Sequence, residues 1–224
     1  METATVGAML IEPLVGTIDA DVVIPGSKSI TNRALVAAAL ADGVSELRGV
    51  LDADDTQAML GVIQALGAVV EPLDEADAYQ ITGVGGQLTP GPREIDVRMS
   101  GTTARFATPL AARGTGIYII DGAPEMRARP MAETVEALRS LGVTIAPDTL
   151  PITLRGGFDG GALTLGASVS SQFASGMLLA APGTAKGLEL DLESDVVSRP
   201  YLDMTCSVMR SFGAQVDQPS PNRF

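Results

Sequence analysis

The sequence predicts an α/β fold in which one strand–helix–strand–helix–strand–strand unit occurs three times. Three observations carry this prediction. Strand-like alternation and helix-like apolar runs recur in the same order along the chain. Gly67, Gly142 and Gly213 each end the second helix of a unit and lie 75 and 71 residues apart, the near-constant spacing of an internal repeat. Each first helix also opens on small polar residues: Ser27-Lys28-Ser29, Ser100-Gly101-Thr102-Thr103 and Ser170-Ser171-Gln172.

The elements follow from local chemistry. Met9–Leu14 reads as a short strand closed by Gly16, and Ile18–Ile24 alternates like a second strand until Pro25-Gly26 breaks it. Ser27 or Ser29 can cap the helix that follows, whose Ala34–Ala41 stretch is apolar on nearly all sides and therefore reads as buried. Val44–Leu51 is a strand, and Asp52-Ala53-Asp54-Asp55 starts a helix through Met59, Leu60, Ile63 and Leu66. These acids suit a helix N-terminus, so a capping role is preferred to metal binding. Gly67 ends that helix, and strands follow at Val69–Leu73 and Ala78–Thr82.

The second unit places a strand at Ile95–Val97, a helix from Ser100, a strand at Gly116–Ile120, a helix over Arg129–Leu141 and strands at Val143–Ala146 and Pro151–Leu154. The third places a strand at Ala162–Leu165, a helix from Ser170, a strand at Gly187–Leu192 and a helix over Tyr201–Phe212. Only 11 residues follow Gly213, with two prolines where a closing strand is due. The third unit therefore reads as unfinished and the chain as part of something longer.

Composition excludes several functions. A net charge of −12 opposes a broad nucleic-acid or anionic-membrane surface. With no histidine and one cysteine, the chain cannot supply a Ser-His-Asp triad, a Cys-His pair, a His-ligated zinc site or an internal disulfide. Cys206, between Met204 and Met209 in a helical pattern, reads as a core thiol. No basic, then apolar leader opens the chain and no apolar run approaches membrane-spanning length, so the cytoplasm is the expected location.

A small anion remains as the natural ligand. Helix N-termini offer free N–H groups and partial positive charge. One helix dipole is worth about 0.3–1 kcal/mol to a nearby charge, whereas micromolar binding needs about 8 kcal/mol. Charge-assisted bonds of roughly 1.5–3 kcal/mol each can close that gap. Lys28, one of only two lysines, and Arg33, Arg105, Arg127 and Arg129 are the available donors. The expected ligand is small, carries phosphate or carboxylate, and bears hydroxyls that Ser and Gln can read. Taken singly, each Ser or Thr is equally well explained as a cap.

Five segments resemble the 5-enolpyruvylshikimate-3-phosphate synthases, in that family's order. They are Pro25-Gly-Ser-Lys-Ser-Ile-Thr-Asn-Arg-Ala-Leu35, Ser100-Gly-Thr-Thr-Ala-Arg105, Asp121-Gly-Ala-Pro-Glu-Met-Arg-Ala-Arg-Pro130, Ser170-Ser-Gln-Phe173 with Leu178-Leu-Ala-Ala-Pro182, and Ser198-Arg-Pro-Tyr-Leu-Asp-Met-Thr205. The family transfers the enolpyruvyl group of phosphoenolpyruvate to the 5-hydroxyl of shikimate-3-phosphate and releases phosphate. The resemblance implies an inverse α/β (α+β) domain of three βαβαββ repeats around a pseudo-threefold axis, helices inside and sheets outside. It places the repeats at about 18–83, 94–156 and 162–224, within a substrate-binding domain of residues 18–224, and assigns the strand in residues 1–17 to a second domain.

By resemblance, Lys28 and Arg129 would hold phosphoenolpyruvate, Gly101 would let it approach the backbone, and Gln172 would lie between the two substrates. Lys28, Arg129 and Gln172 are thus the catalytic candidates. Ser29, Arg33, Ser170, Ser171, Ser198 and Tyr201 would hold shikimate-3-phosphate, with serine hydroxyls on its phosphate and Tyr201 on its ring face. No metal or organic cofactor is implied. Two positions depart from the common pattern: Arg98-Met99 where many members have Gly-Asn, and Glu125 where arginine is common. The family's proposed general base and further phosphoenolpyruvate arginines belong to the other, C-terminal domain, so this chain is expected to be inactive alone. The alternative is a non-catalytic small-phosphate-binding or interaction module on the same scaffold.

Overall fold

Serine ends each of the three apolar-helix approaches and sets where the helices begin. In the computed structural model, which describes residues 10, 13, 15–166, 170–194 and 198–224, the N-caps are Ser27, Ser100 and Ser170. Their hydroxyls accept from Ile30 N at 3.5 Å, Thr103 N at 3.1 Å and Gln172 N at 3.3 Å.

The first unit runs α1 (Lys28–Leu40), β1 (Val44–Leu47), α2 (Asp54–Ala65), β2 (Val69–Pro72) and β3 (Tyr79–Thr82). The second runs β4 (Arg93–Asp96), α3 (Gly101–Ala112), β5 (Ile117–Asp121), the short α4 (Pro124–Arg127), α5 (Ala132–Ser140), β6 (Thr144–Ala146) and β7 (Ile152–Arg155). The third runs β8 (Gly161–Leu165), α6 (Ser171–Ala180), β9 (Leu188–Leu192) and α7 (Arg199–Ser211).

The helices lie inside, as the uniformly apolar first helices require. In α3, ten of twelve residues are buried, and in α6 nine of ten, so neither can present a polar face to water. Helices α1, α3 and α6 touch one another; α2 bridges α1 and α3, and α7 bridges α6 and α1. The α3–α6 approach depends on Gly176, where a Cβ would collide with the Arg105 carbonyl. The strands form three separate sheets outside this bundle, and the burial alternation of β7 and β8 puts one face on the helices and the other toward solvent.

The middle sheet is the fullest, with order β4-β5-β7-β6: β4 and β5 are parallel, and β7 is antiparallel to both β5 and β6. The first sheet, β1-β3-β2, has no strand in the position of β4. Ile18–Ile24, expected there, forms no strand, and Val23 is 97% exposed. Alternation records only which side chains could share a face, whereas a strand also needs a ladder partner. The expected strand at Met9–Leu14 falls mostly outside the described residues. In the third unit, β8 and β9 are parallel and residues 214–218 form no strand, but Asn222–Phe224 does pair with β9. Leu190 N donates to Phe224 O at 2.9 Å, Phe224 N returns to Leu190 O at 3.0 Å, and Leu192 N donates to Asn222 O at 2.8 Å. The closing ladder thus starts beyond the two prolines.

Three boundaries differ for local reasons. The strand expected over Val44–Leu51 ends at Leu47, because Gly49 turns the chain with φ +65°. The helix expected over Arg129–Leu141 starts at Ala132; Pro130 disfavours helical backbone at Arg129 and leaves it between α4 and α5. The start of α2 is closed by Thr56, whose Oγ1 accepts from Ala53 N at 3.0 Å, so no carboxylate makes the capping bond, while Asp54 and Asp55 do stand in the first turn, where negative charge is favoured. Cys206 is fully buried in α7, and burial pushes its thiol pKa up, as a core thiol requires. Among the described residues, no helix is long and apolar enough to cross a membrane.

Candidate functional site

The starts of α1, α3 and α6 are linked by side chains from all three units. Lys28, in the first turn of α1, pairs with Asp55 of α2, Nζ to Oδ2 at 3.3 Å. The other Asp55 oxygen accepts from Ser100, the N-cap of α3, at 2.5 Å. Gly101 follows directly and is buried beneath two guanidinium groups. A Cβ built on it would lie 2.8 Å from Arg129 Nη1 and 3.7 Å from Arg105 Nη1. Arg105 then reaches the third unit, donating to Gln172 Oε1 and stacking over Phe173 with its guanidinium carbon 4.7 Å from the ring centroid. Lys28, Gly101, Arg129 and Gln172, drawn from four separate segments of three units, are therefore gathered around Asp55, Ser100 and Arg105.

Two guanidinium groups converge over Gly101. Burial, and then the neighbouring Arg129 charge, lower the pKa of Arg105, while Glu133 partly opposes them. Like charges held this close cost free energy that a bound anion would recover. Of the five expected donors, Arg129 is the one whose side chain makes no hydrogen bond or ion pair among the described residues. Arg127 does not serve the site: its Nε and Nη2 grip Asp121 at 2.9 and 2.6 Å. That bidentate pair also holds the Asp121 carboxyl below its usual range. Arg98 turns to Asp54, Nη1 to Oδ1 at 3.0 Å.

A second cluster gathers Ser29, Arg33 and Tyr201. Arg33 is 1% exposed and has no carboxylate partner among the described residues; it donates to Thr205 Oγ1 at 2.6 Å, Ser29 O at 2.8 Å, Ser175 Oγ at 3.2 Å and Tyr201 O at 3.4 Å. Its guanidinium carbon also sits 5.3 Å from the Phe106 ring and 5.8 Å from that of Tyr201. Burial pushes its pKa down to about 10, which still leaves it charged at neutral pH. It lies behind the surface that Ser29 and the exposed Tyr201 ring offer. Ser170 is exposed at the start of α6, whereas Ser171 is buried beside it. Ser198 is the N-cap residue of α7 but makes no side-chain capping bond, so its hydroxyl is not spent on its own helix.

The family model for EPSP synthase (3-phosphoshikimate 1-carboxyvinyltransferase) matches residues 14–224. The chain belongs to the EPSP synthase family. It is 39% identical over 216 residues to the 3-phosphoshikimate 1-carboxyvinyltransferase of Serratia proteamaculans, covering 94% of this chain and 50% of that one. It is 42% identical over 206 residues to the enzyme of the same name from Methanothermobacter thermautotrophicus, covering 90% and 48%. The fold matches a solved EPSP synthase from Acinetobacter baumannii with a TM-score of 0.79 at 25% identity, covering 89% of this chain and 45% of that one. The chain spans about half the length of the curated relatives it matches. Within this family frame, sequence motifs marked Lys28 and Ser100-Gly101 separately. They did not mark Asp55, which joins them. Its only signal was an acidic run at a helix start, which reads equally as capping.

Proposed function

We propose that this chain is the half of a 3-phosphoshikimate 1-carboxyvinyltransferase that binds shikimate-3-phosphate and phosphoenolpyruvate. The observation that carries this is the junction of Lys28, Gly101, Arg129 and Gln172 at the adjoining starts of α1, α3 and α6. Phosphoenolpyruvate would meet the Lys28 ammonium and the Arg129 guanidinium, with Gly101 leaving room for it at the helix backbone. Shikimate-3-phosphate would take Ser29, Ser170, Ser171 and Ser198 for its polar groups and the Tyr201 face for its ring. Arg33 would support that surface from behind. Gln172, tied to Arg105, would sit between the two ligands.

Holding two anions side by side is positioning chemistry, which converts an encounter of two substrates into reaction within one complex. Enolpyruvyl transfer also needs a group that takes the proton of the attacking hydroxyl and one that protonates the vinyl carbon. We assign those to a second domain, supplied in cis or as a separate fragment. In this reading residues 18–224 are the substrate-binding domain and residues 1–17 belong with the second one. No metal or organic cofactor enters the scheme, and we assign it to the cytoplasm.

Two measurements test this. The 224-residue polypeptide alone should release no phosphate from phosphoenolpyruvate plus shikimate-3-phosphate, so ordinary turnover would overturn the assignment of the proton-moving groups. Calorimetry should give tighter binding of shikimate-3-phosphate than of generic sugar phosphates. Indifference among them would favour a non-catalytic phosphate-binding module.

A further inference from the structure

Lys28 carries a compact charge on a flexible four-carbon stem, and a free lysine must lose that freedom when it grips a ligand. Here the stem is already tethered. Asp55 Oδ2 takes one of the three ammonium donors at 3.3 Å, which leaves two for a ligand, and Lys28 remains 49% exposed in the pair. Asp55 is itself fixed. Its Oδ1 accepts from Ser100 Oγ at 2.5 Å, and Ser100 Oγ in turn accepts from Thr103 N at 3.1 Å. Thr103 Oγ1 lies 3.1 Å from the Asp55 carbonyl oxygen and 2.7 Å from Ser100 Oγ. Ser100 and Thr103 are buried, so this end of the bracket is rigid.

We infer that Asp55 is a positioning residue of the anion site: its carboxylate holds the Lys28 ammonium of α1 and the Ser100 N-cap of α3 in one geometry. Lys28 thereby meets an incoming phosphate or carboxylate already placed relative to Gly101 and Arg129. The inference rests on the anion-site reading above and adds the group that aligns its two sides. The two carboxylate oxygens have separate tasks, which makes Asp55→Asn diagnostic. An amide has a single oxygen; if it accepts from Ser100, the NH2 faces the Lys28 ammonium and repels it. The variant removes no atoms from the bracket and retains the buried Ser100 contact, so the fold should persist.

The test uses the chain's two lysines, with Lys186 at a remote site as internal reference. An uncharged acylating reagent is applied at limiting concentration and labelling is read by peptide mass spectrometry. In Asp55→Asn the Lys28:Lys186 labelling ratio should rise about 2- to 5-fold over wild type, and the phosphoenolpyruvate Kd by a similar factor, the range expected for losing one exposed ion pair. Asp55→Ala should raise both as well and, because it also removes the acceptor of the buried Ser100 hydroxyl, should lower the melting temperature where Asp55→Asn does not. An unchanged labelling ratio overturns the inference, and so does a phosphoenolpyruvate affinity that stays equal or rises, since Asp55 would then be a bystander or a competitor for Lys28. A general loss of structure would raise labelling at both lysines, so an unchanged ratio counts against the inference where Lys186 labelling matches wild type. If wild type binds neither phosphoenolpyruvate nor inorganic phosphate, the anion-site reading fails instead, and the labelling ratio alone decides whether Asp55 places Lys28.

Discussion

The two ends of the helix bundle present opposite answers to the same problem. At the N-terminal end, the starts of α1, α3 and α6 carry partial positive charge, and Arg129 above them has no partner among the described residues. At the C-terminal end lies a cavity of about 900 Å³, bordered by Leu40, Arg113, Leu179, Phe212 and Phe224. Volume alone would make it the better ligand site. Its helix ends oppose an anion, however, because helix C-termini expose carbonyl oxygens, and its lining side chains are of mixed charge, Arg113, Lys186 and Arg223 against Asp42, Glu189 and Asp217. Arg113 Nη1 serves those carbonyls, donating to Ala180 O at 2.9 Å and to Pro182 O, and burial lowers the arginine's pKa. An arginine at one end is available to a ligand, and at the other it completes a helix. The direction of the helices, rather than the size of the opening, is what favours the N-terminal end for an anion.

That contrast can be broken most severely at Arg33, which packs the N-terminal end against α7. Arg33→Met keeps the stem's bulk but removes donors to Thr205, Ser175, Ser29 O and Tyr201 O, and should cost about 3 kcal/mol of stability. Urea denaturation measures it, and a loss below about 0.5 kcal/mol would show those acceptors satisfied without Arg33. Arg129→Ala should separate function from stability. Removing a charge-assisted contact weakens phosphoenolpyruvate binding by about 10- to 100-fold, while the urea midpoint stays at the wild-type value. Arg113→Ala should show the reverse, about 1.5 kcal/mol less stability with unchanged ligand affinities. If calorimetry found that Arg113→Ala weakens anion binding as Arg129→Ala does, the distinction between the two ends would be lost.

The same contrast explains what could be read from the sequence. Gly67, Gly142 and Gly213 each adopt positive φ, of 112°, 87° and 85°, so their spacing reported a backbone requirement repeated three times. Ser27, Ser100 and Ser170 cap helices through bonds to residues two or three positions away, which local sequence encodes. Contacts over longer separations were hidden. Arg127 looked available until β5 brought Asp121 beside it. Asp55 looked like a cap until Thr56 took that role and α2 carried its carboxylate to Lys28, 27 positions earlier. Ile18–Ile24 has the pattern of a strand, but among the described residues β1 pairs only with β3. Periodicity encodes which face is apolar, while partner choice depends on the assembled fold.

The finest test of the N-terminal end is Gly101→Ala. Gly101 opens α3, where its Cα faces Arg129, and an added methyl would come within 2.8 Å of Nη1. Only the far end of a flexible side chain stands in the way, so the fold should absorb the change, and alanine suits a helix better than glycine. Arg129 must then retreat by a few tenths of an ångström, and the methyl occupies space proposed for phosphoenolpyruvate. Its Kd should rise about 3-fold, as expected for a small displacement of one charge-assisted contact, with shikimate-3-phosphate binding and the urea midpoint unchanged. Equal weakening for both ligands would mean that Gly101 lies in a site they share. A drop in stability without a change in either Kd would mean that the glycine serves packing, and that Arg129 has no ligand to place.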